Sequence, residues 1–332
     1  MVRSFAFVEP TSLDEAIRLL AAGQRQAHLI AGGSDLLGEL KDDVVSYECL
    51  VSLAGVEELR HIQEQGGGLR LGALITVAQL EYDPHLQGPY RILAEAARSV
   101  ATPEIRNQGT LGGNLCQRPR CLYYRNALTP CLKKGGADCP ALESPYQAYL
   151  SIMGGHGCYS VHASDLAPPL MALGAQVSLA GPSGVRALPL EQFFAGPEQD
   201  VRRENVLAAD EVLTAVTLPA ALPGWQGTYL KARERTAGDF PLVSVAVGYA
   251  LDAGLIRQAR LVLGAVAPVP WRSPAAEAVL EEQRPSPALA GRAAAAALAS
   301  AQPLPHNAFK VEIGRALVER AIMAVASSLR GE

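Results

Sequence analysis

Apolar positions change their spacing repeatedly along the N-terminal part of the chain. Ala16, Ile17, Leu19 and Leu20 recur at helical intervals behind Ser12 and Glu15, a capping-box start. Residues 27–31 and 49–53 are short apolar runs of strand character. Between them lie a Gly32-Gly33-Ser34-Asp35 turn and a helical stretch over 36–40. Strand, helix and strand in alternation predict a small α/β unit. A second unit opens with a strand over 69–73, a helix capped by Thr76, and a helix over 91–100 closed by Thr102-Pro103. Later strands are predicted at 177–180 and 211–216, whereas the cysteine-bearing segment before them shows little regular pattern.

The last third reads differently. Runs over 243–251 and 259–265 predict strands, and helices follow in succession at 275–283, 288–301 and 309–329. Strands followed by helices describe an α+β domain. Residues 219–224, with two prolines and a glycine, are the linker candidate. The expected division is 1–60, then 61–218 with a cysteine-rich insertion at about 116–160, then 225–332.

Composition narrows the classes. With 49% hydrophobic and 19% charged residues the chain can bury cores and is not a disordered protein. A net charge of −4 without any Lys/Arg run argues against a nucleic-acid surface, and 5% aromatic residues leave little for base stacking. No window of 18 apolar residues predicts a membrane span. The start Met-Val-Arg-Ser-Phe lacks a signal-peptide core, so the expectation is a reducing cytoplasm. Cysteines clustered there are metal ligands or redox groups rather than disulfides.

Two glycine turns and one cysteine cluster carry the candidate chemistry. Leu29-Ile30-Ala31-Gly32-Gly33-Ser34-Asp35-Leu36 is a strand, a double-glycine turn and a helix start, a shape that admits a pyrophosphate. It is not the Gly-x-Gly-x-x-Gly fingerprint, which disfavours a Rossmann site. Gly109-Thr110-Leu111-Gly112-Gly113-Asn114 is a second such turn, and two on separate units can grip one pyrophosphate. By themselves both are also ordinary tight turns. Cys121, Cys131, Cys139 and Cys158 stand in C-x9-C-x7-C-x18-C spacing. That spacing has no short zinc knuckle and suits an iron–sulfur cluster, although zinc (using Cys116) and unligated thiols stay open. Cys49 reads as a core residue, His156 and His162 flank Cys158 as solvated loop histidines or as a ligand replacing one cysteine, and Asp165 reads as a ribose acceptor or a helix cap. No Ser/His/Asp or paired-carboxylate arrangement marks a catalytic residue.

In this order the motifs resemble the FAD-binding medium subunit of the xanthine dehydrogenase family of molybdenum hydroxylases. The resemblance runs from Phe5 to the final helix. It is carried by residues 30–36 and 109–115, by Ala163-Ser164-Asp165-Leu166, and by Lys231 in Lys-x-Arg-x-Arg with Asp239 beyond. It implies a two-part, PCMH/VAO-like FAD-binding domain followed by an α+β domain with a small sheet and helices. It implies that both glycine loops hold the FAD pyrophosphate, that Asp165 binds the adenosine part, that Lys231 lies near the flavin, and that the Leu213 backbone touches the cofactor. Asp239 is expected to tune the flavin or to face the acceptor, or to be a plain surface carboxylate.

Most members pass almost directly from Gly-Gly-Asn to Ser-Asp; the run 118–125 and its cysteines are similar instead to the subset with an extra [4Fe–4S] cluster, as in periplasmic aldehyde oxidoreductases. Cys121, Cys131, Cys139 and Cys158 would then be the ligands, Cys116 occupying a position where the family has none. The partners implied are a large subunit carrying a molybdenum cofactor and a [2Fe–2S] small subunit in a heterotrimer, with an external electron acceptor. Aldehydes or N-heterocycles would be oxidised on the large subunit. Export is then possible if a partner carries the signal. The alternatives are a 4-hydroxybenzoyl-CoA reductase-type flavin subunit, an autonomous flavin oxidoreductase, and a zinc-stabilised interaction module.

Overall fold

Short apolar strands running into glycine turns build the first layer. The computed structural model describes residues 3–23, 26–236 and 238–331. Strands β1 (Ala6–Val8), β2 (Ala27–Ile30) and β3 (Cys49–Ser52) form a parallel sheet in the order β1-β3-β2, with Leu29 opposite Val51. Parallel neighbours need a crossover. The helix Leu36–Lys41 supplies one between β2 and β3, while the helix Leu13–Gly23 links β1 to β2 and buries Ala16, Ile17 and Leu20 in a core shared with Val51 and Leu53. The Ser12 hydroxyl accepts from the Glu15 N–H at 3.3 Å, but the Glu15 carboxylate reaches back to the Thr11 N–H rather than to Ser12.

The second sheet is antiparallel. Strands β4 (Ile62–Gln65), β5 (Gly68–Gly72), β6 (Gln176–Gly181), β7 (Gly184–Pro189) and β8 (Val212–Leu218) lie in the order β4-β5-β8-β6-β7. The chain leaves this sheet after β5 and returns at β6, so the helices and the whole cysteine segment are inserted between them. β8 holds the sheet together: Val216 faces Leu71 on one side and Val177 on the other. Thr76 caps the helix Val77–Tyr82 with Gln79 in a full capping box. The helix Arg91–Ser99 buries Ile92, Leu93, Ala96 and Ala97 in the same core.

Strands β9 (Gln226–Ala232), β10 (Val243–Asp252), β11 (Leu255–Gly264) and β12 (Trp271–Arg272) form the third sheet, in the order β12-β11-β10-β9. β10 is buried on both faces, which explains its unbroken apolar run. Val243, Val245, Val247 and Tyr249 enter a core with the helices Pro274–Leu280, Pro287–Ala297 and Phe309–Arg330. Ala246 and Ala250, on the alternate face, enter the core of the second sheet. The Tyr249 hydroxyl donates to the Ile322 carbonyl at 2.7 Å, satisfying its polar end inside that packing. The architecture is thus α+β, as the sequence predicts.

Strands β4, β7 and β9 are not marked by apolar alternation, being largely exposed or half-buried. The cysteine segment is also less featureless than expected, with a short helix Leu122–Arg125 and single helical turns at Leu132–Lys134 and Pro140–Glu143.

Candidate functional site

The two glycine loops touch. β2 ends at Ile30, and Gly32 passes so close to the second loop that a Cβ there would stand 1.7 Å from the Gln108 carbonyl oxygen. Only glycine permits that approach. Gly33 follows with φ +69°, the left-handed region that glycine adopts without strain. Among the described residues, no acceptor lies within reach of the N–H groups of Gly32, Gly33, Ser34 and Asp35. Four adjacent unused donors form a concavity suited to an anion.

The second loop works differently. The helix Pro103–Gln108 stops at Gly109, and residues Leu111–Leu115 form a short helix capped by Thr110, where the sequence suggested an open turn. The N–H groups of Leu111 and Gly112 donate to the Ile75 and Ala73 carbonyls, and that of Gly113 to the Thr110 hydroxyl at 3.1 Å. This loop therefore offers no spare donors at those positions. It offers bare backbone instead: a Cβ on Gly112 would meet Ala73 at 3.0 Å and Leu213 at 3.4 Å.

Between the loops runs a cleft of about 820 Å³, bordered by Leu29, Ile30, Ala31, Gly32, Gly33, Ser34, Asp35 and Leu36, by Thr110, Gly112 and Gly113, and by Leu213. That volume falls in the range of cofactor sites. A smaller cavity of about 70 Å³ shares Ser34, Asp35 and Gly113 with it and adds Asn114, Asp165 and Asp239. Asp165 is buried and fully engaged: its carboxylate accepts from the Tyr229 hydroxyl at 2.6 Å and from Lys231 Nζ at 2.8 Å. Lys231 also donates to the Ser99 carbonyl at 3.1 Å. Burial and the Asp165 charge hold the Tyr229 phenol far above its ordinary pKa, so it stays a donor. The capping role considered for Asp165 falls to Ser164, whose hydroxyl accepts from the Ala167 N–H at 3.0 Å and donates to Asn114 Oδ1 at 2.5 Å. Asp239 is bound by Arg235, which holds its carboxyl below the usual range.

Residues 3–221 match the FAD-binding domain of molybdopterin dehydrogenases, and residues 228–325 match the CO dehydrogenase flavoprotein C-terminal domain. The chain belongs to this family of FAD-binding subunits. It is 33% identical over 308 residues to the aldehyde oxidoreductase FAD-binding subunit PaoB of Escherichia coli, covering 92% of both chains. It is 29% identical over 268 residues to the carbon monoxide dehydrogenase medium chain of Hydrogenophaga pseudoflava, covering 81% of this chain and 77% of that one. The structure of quinoline 2-oxidoreductase from Pseudomonas putida 86 superposes with a TM-score of 0.79 at 26% identity, covering 99% of each chain. The groove between the glycine loops fits the FAD this family binds: bare backbone on one wall, unused N–H donors on the other.

The cysteine segment lies between β5 and β6 of this fold. Cys131 and Cys158 are buried, Cys121 and Cys139 half-buried, and none forms a disulfide. Cys121 lies in the electrostatic field of Cys158 and Cys139, and Cys139 in that of Cys158 and Cys131. Burial pushes the Cys121 thiol up to about 11 and raises Cys139. Cys116 lies apart, packed on the second sheet's core, with burial pushing its thiol up to about 12. Among the described residues no group of three or more His, Cys, Asp or Glu side chains is gathered closely enough to hold a single metal ion. A four-iron cluster makes a different demand, since each thiolate binds its own corner. His162 packs edge-on to Phe194 and takes the Ser164 N–H at its Nδ1, while His156 is exposed on the other side of Cys158.

Sequence reasoning missed what anchors this insertion. Asp35, the last residue of the first glycine loop, is gripped by the Arg118 N–H at 2.7 Å, Arg125 at 2.6 Å and Arg120 at 2.9 Å. Buried Glu204 pairs with Arg118 at 2.5 Å and Lys133 at 2.6 Å. The Tyr124 hydroxyl donates to buried Glu39 at 2.5 Å, whose carboxyl burial pushes up. The visible signal was the density of arginines in 118–125; nothing in the sequence points to Glu204.

Proposed function

We propose that this chain is the FAD- and [4Fe–4S]-carrying electron-transfer subunit of a heterotrimeric molybdenum hydroxylase, of the subset with an extra cluster. When bound, the two cofactors supply the redox chemistry, passing electrons from a [2Fe–2S] partner subunit to an external acceptor while an aldehyde or N-heterocycle is oxidised on the large subunit. The protein's part is holding and orienting. The N–H groups of Gly32, Gly33, Ser34 and Asp35 would donate to the diphosphate, while Gly112 and Gly113 let it lie against backbone. Asp165 and Lys231, joined at 2.8 Å, would border the same part of the cofactor rather than opposite ends. Leu213 would close the cleft from the far wall. Cys121, Cys131, Cys139 and Cys158 would ligate the cluster. The domain division at 1–60, 61–218 and 225–332 goes with this reading.

The observation that supports it is the pair of ion pairs joining Asp35, at the end of the first glycine loop, to Arg120 at 2.9 Å and Arg125 at 2.6 Å in the cysteine segment. The aldehyde and quinoline enzymes among the similar proteins support the substrate classes. The test is the visible spectrum of anaerobically purified protein, with acid-extracted flavin, iron and sulfide. FAD with about four iron and four sulfide per chain is expected; tightly bound zinc without sulfide would replace the cluster by a structural metal. Co-expression with molybdenum and [2Fe–2S] subunits should yield a complex that oxidises aldehydes or N-heterocycles. Turnover by the isolated chain would point instead to an autonomous flavoenzyme.

A further inference from the structure

Each carboxylate facing the smaller cavity has a cationic partner. Asp165 has Lys231, Asp239 has Arg235, and Asp35 has Arg125 at 2.6 Å. Arg120 is the cation left over. It lines the cavity and reaches Asp35 at 2.9 Å as that carboxylate's second guanidinium; its plane lies 5.0 Å over the Phe240 ring. Its Nε–H is buried without any acceptor. An arginine cannot shed its charge in a protein, so this wall of the cavity holds a guanidinium that shares Asp35 with Arg125, with Glu39 as the other carboxylate acting on it, and that keeps an unsatisfied donor. Burial works against that charge, with Asp35 opposing it. The site is adjacent to where the glycine loops meet, because Ser34, Asp35 and Gly113 border both cavities. Within FAD, the diphosphate is the part that carries negative charge.

We propose that Arg120 binds the diphosphate of FAD, so that the cysteine insertion supplies one wall of the flavin site. The inference rests on the FAD reading above and adds a ligand from outside both glycine loops. It also gives the insertion a role in flavin retention separate from its thiols. The Asp35 carboxylate, which alone would repel the diphosphate, is neutralised by Arg125 and then outweighed by Arg120.

The test uses the full chain stripped of flavin, titrated calorimetrically with FAD, ADP and adenosine. Arg120→Met should weaken FAD and ADP by about 10- to 100-fold, the range for a hydrogen bond to a charged group. Adenosine affinity, iron content and melting temperature should stay as in wild type. Arg120→Lys, which keeps the charge but not the planar fork, should fall between the two and serves if the Met variant does not fold. Unchanged ADP affinity in both variants would overturn the proposal, as would an equal loss for adenosine and ADP. Failure of the wild-type chain to bind FAD or ADP at all would instead sink the FAD reading itself.

Discussion

Asp165 and Lys231 offer the sharpest quantitative test of how this site is held. Each side chain is 4% exposed, and the pair meets at 2.8 Å with Tyr229 and the Ser99 carbonyl completing its hydrogen bonds. Removing one member of a buried pair leaves the other charged and dry, at a cost of about 3–5 kcal/mol. Replacing both leaves no charge to strand. Asp165→Asn and Lys231→Met should therefore each lower stability by that amount, a large share of the roughly 5–15 kcal/mol that holds a folded domain. The double variant should lose well under the sum of the two single losses, with a coupling of about 2–3 kcal/mol. Urea unfolding of the flavin-free chain gives all three values, followed by the fluorescence of Trp225, which packs in the core that the pair borders. Single losses below about 1 kcal/mol, or a double variant that is simply additive, would refute the claim that this ion pair is dry and mutually dependent.

Gly32→Ala should separate the two loops, since its methyl would stand 1.7 Å from the Gln108 carbonyl oxygen; flavin recovered per chain should fall at least tenfold, and full retention would count against the shared groove. Serine at Cys121, Cys131, Cys139 or Cys158 should abolish bound iron and sulfide, whereas Cys116→Ser and Cys49→Ser should leave both unchanged; iron lost with Cys116 alone would redraw the ligand set. Lys310 is fully buried and donates to the Leu150 and Ala265 carbonyls, and burial lowers its pKa from the usual 10.5 to about 7. Its folded pKa lies below its unfolded one, so the native state is penalised below pH 7 and recovers as pH rises toward 10.5. Taking 10.5 − 7 as about 3.5 units, wild type should gain about 5 kcal/mol relative to Lys310→Met between pH 7 and 10.5; a pH-independent difference in urea midpoints would refute it.

What was legible in the sequence follows from how local each feature is. The glycine loops could be read as turns because Gly33 needs a left-handed φ, a local reason; that Gly32 and Gly112 must be bare because Gln108 and Ala73 crowd them is settled only by residues far along the chain. β10 could be read because burial on both faces leaves an unbroken apolar run, even though the run does not say which core each face enters. β7 and β9 could not: their side chains are mostly exposed or half-buried, and their pairing is set by β6 and β10 rather than by their own pattern. The spare donors were equally hidden. Both loops look alike as strings, yet one has spent its N–H groups on Ala73, Ile75 and Thr110 while the other keeps them. The ion pairs are the least legible of all, because Asp35 and Arg125 are 90 residues apart and Asp165 and Lys231 are 66 apart. The carboxylate that ends the first glycine loop is neutralised by arginines from the cysteine segment, and that pairing exists only in three dimensions.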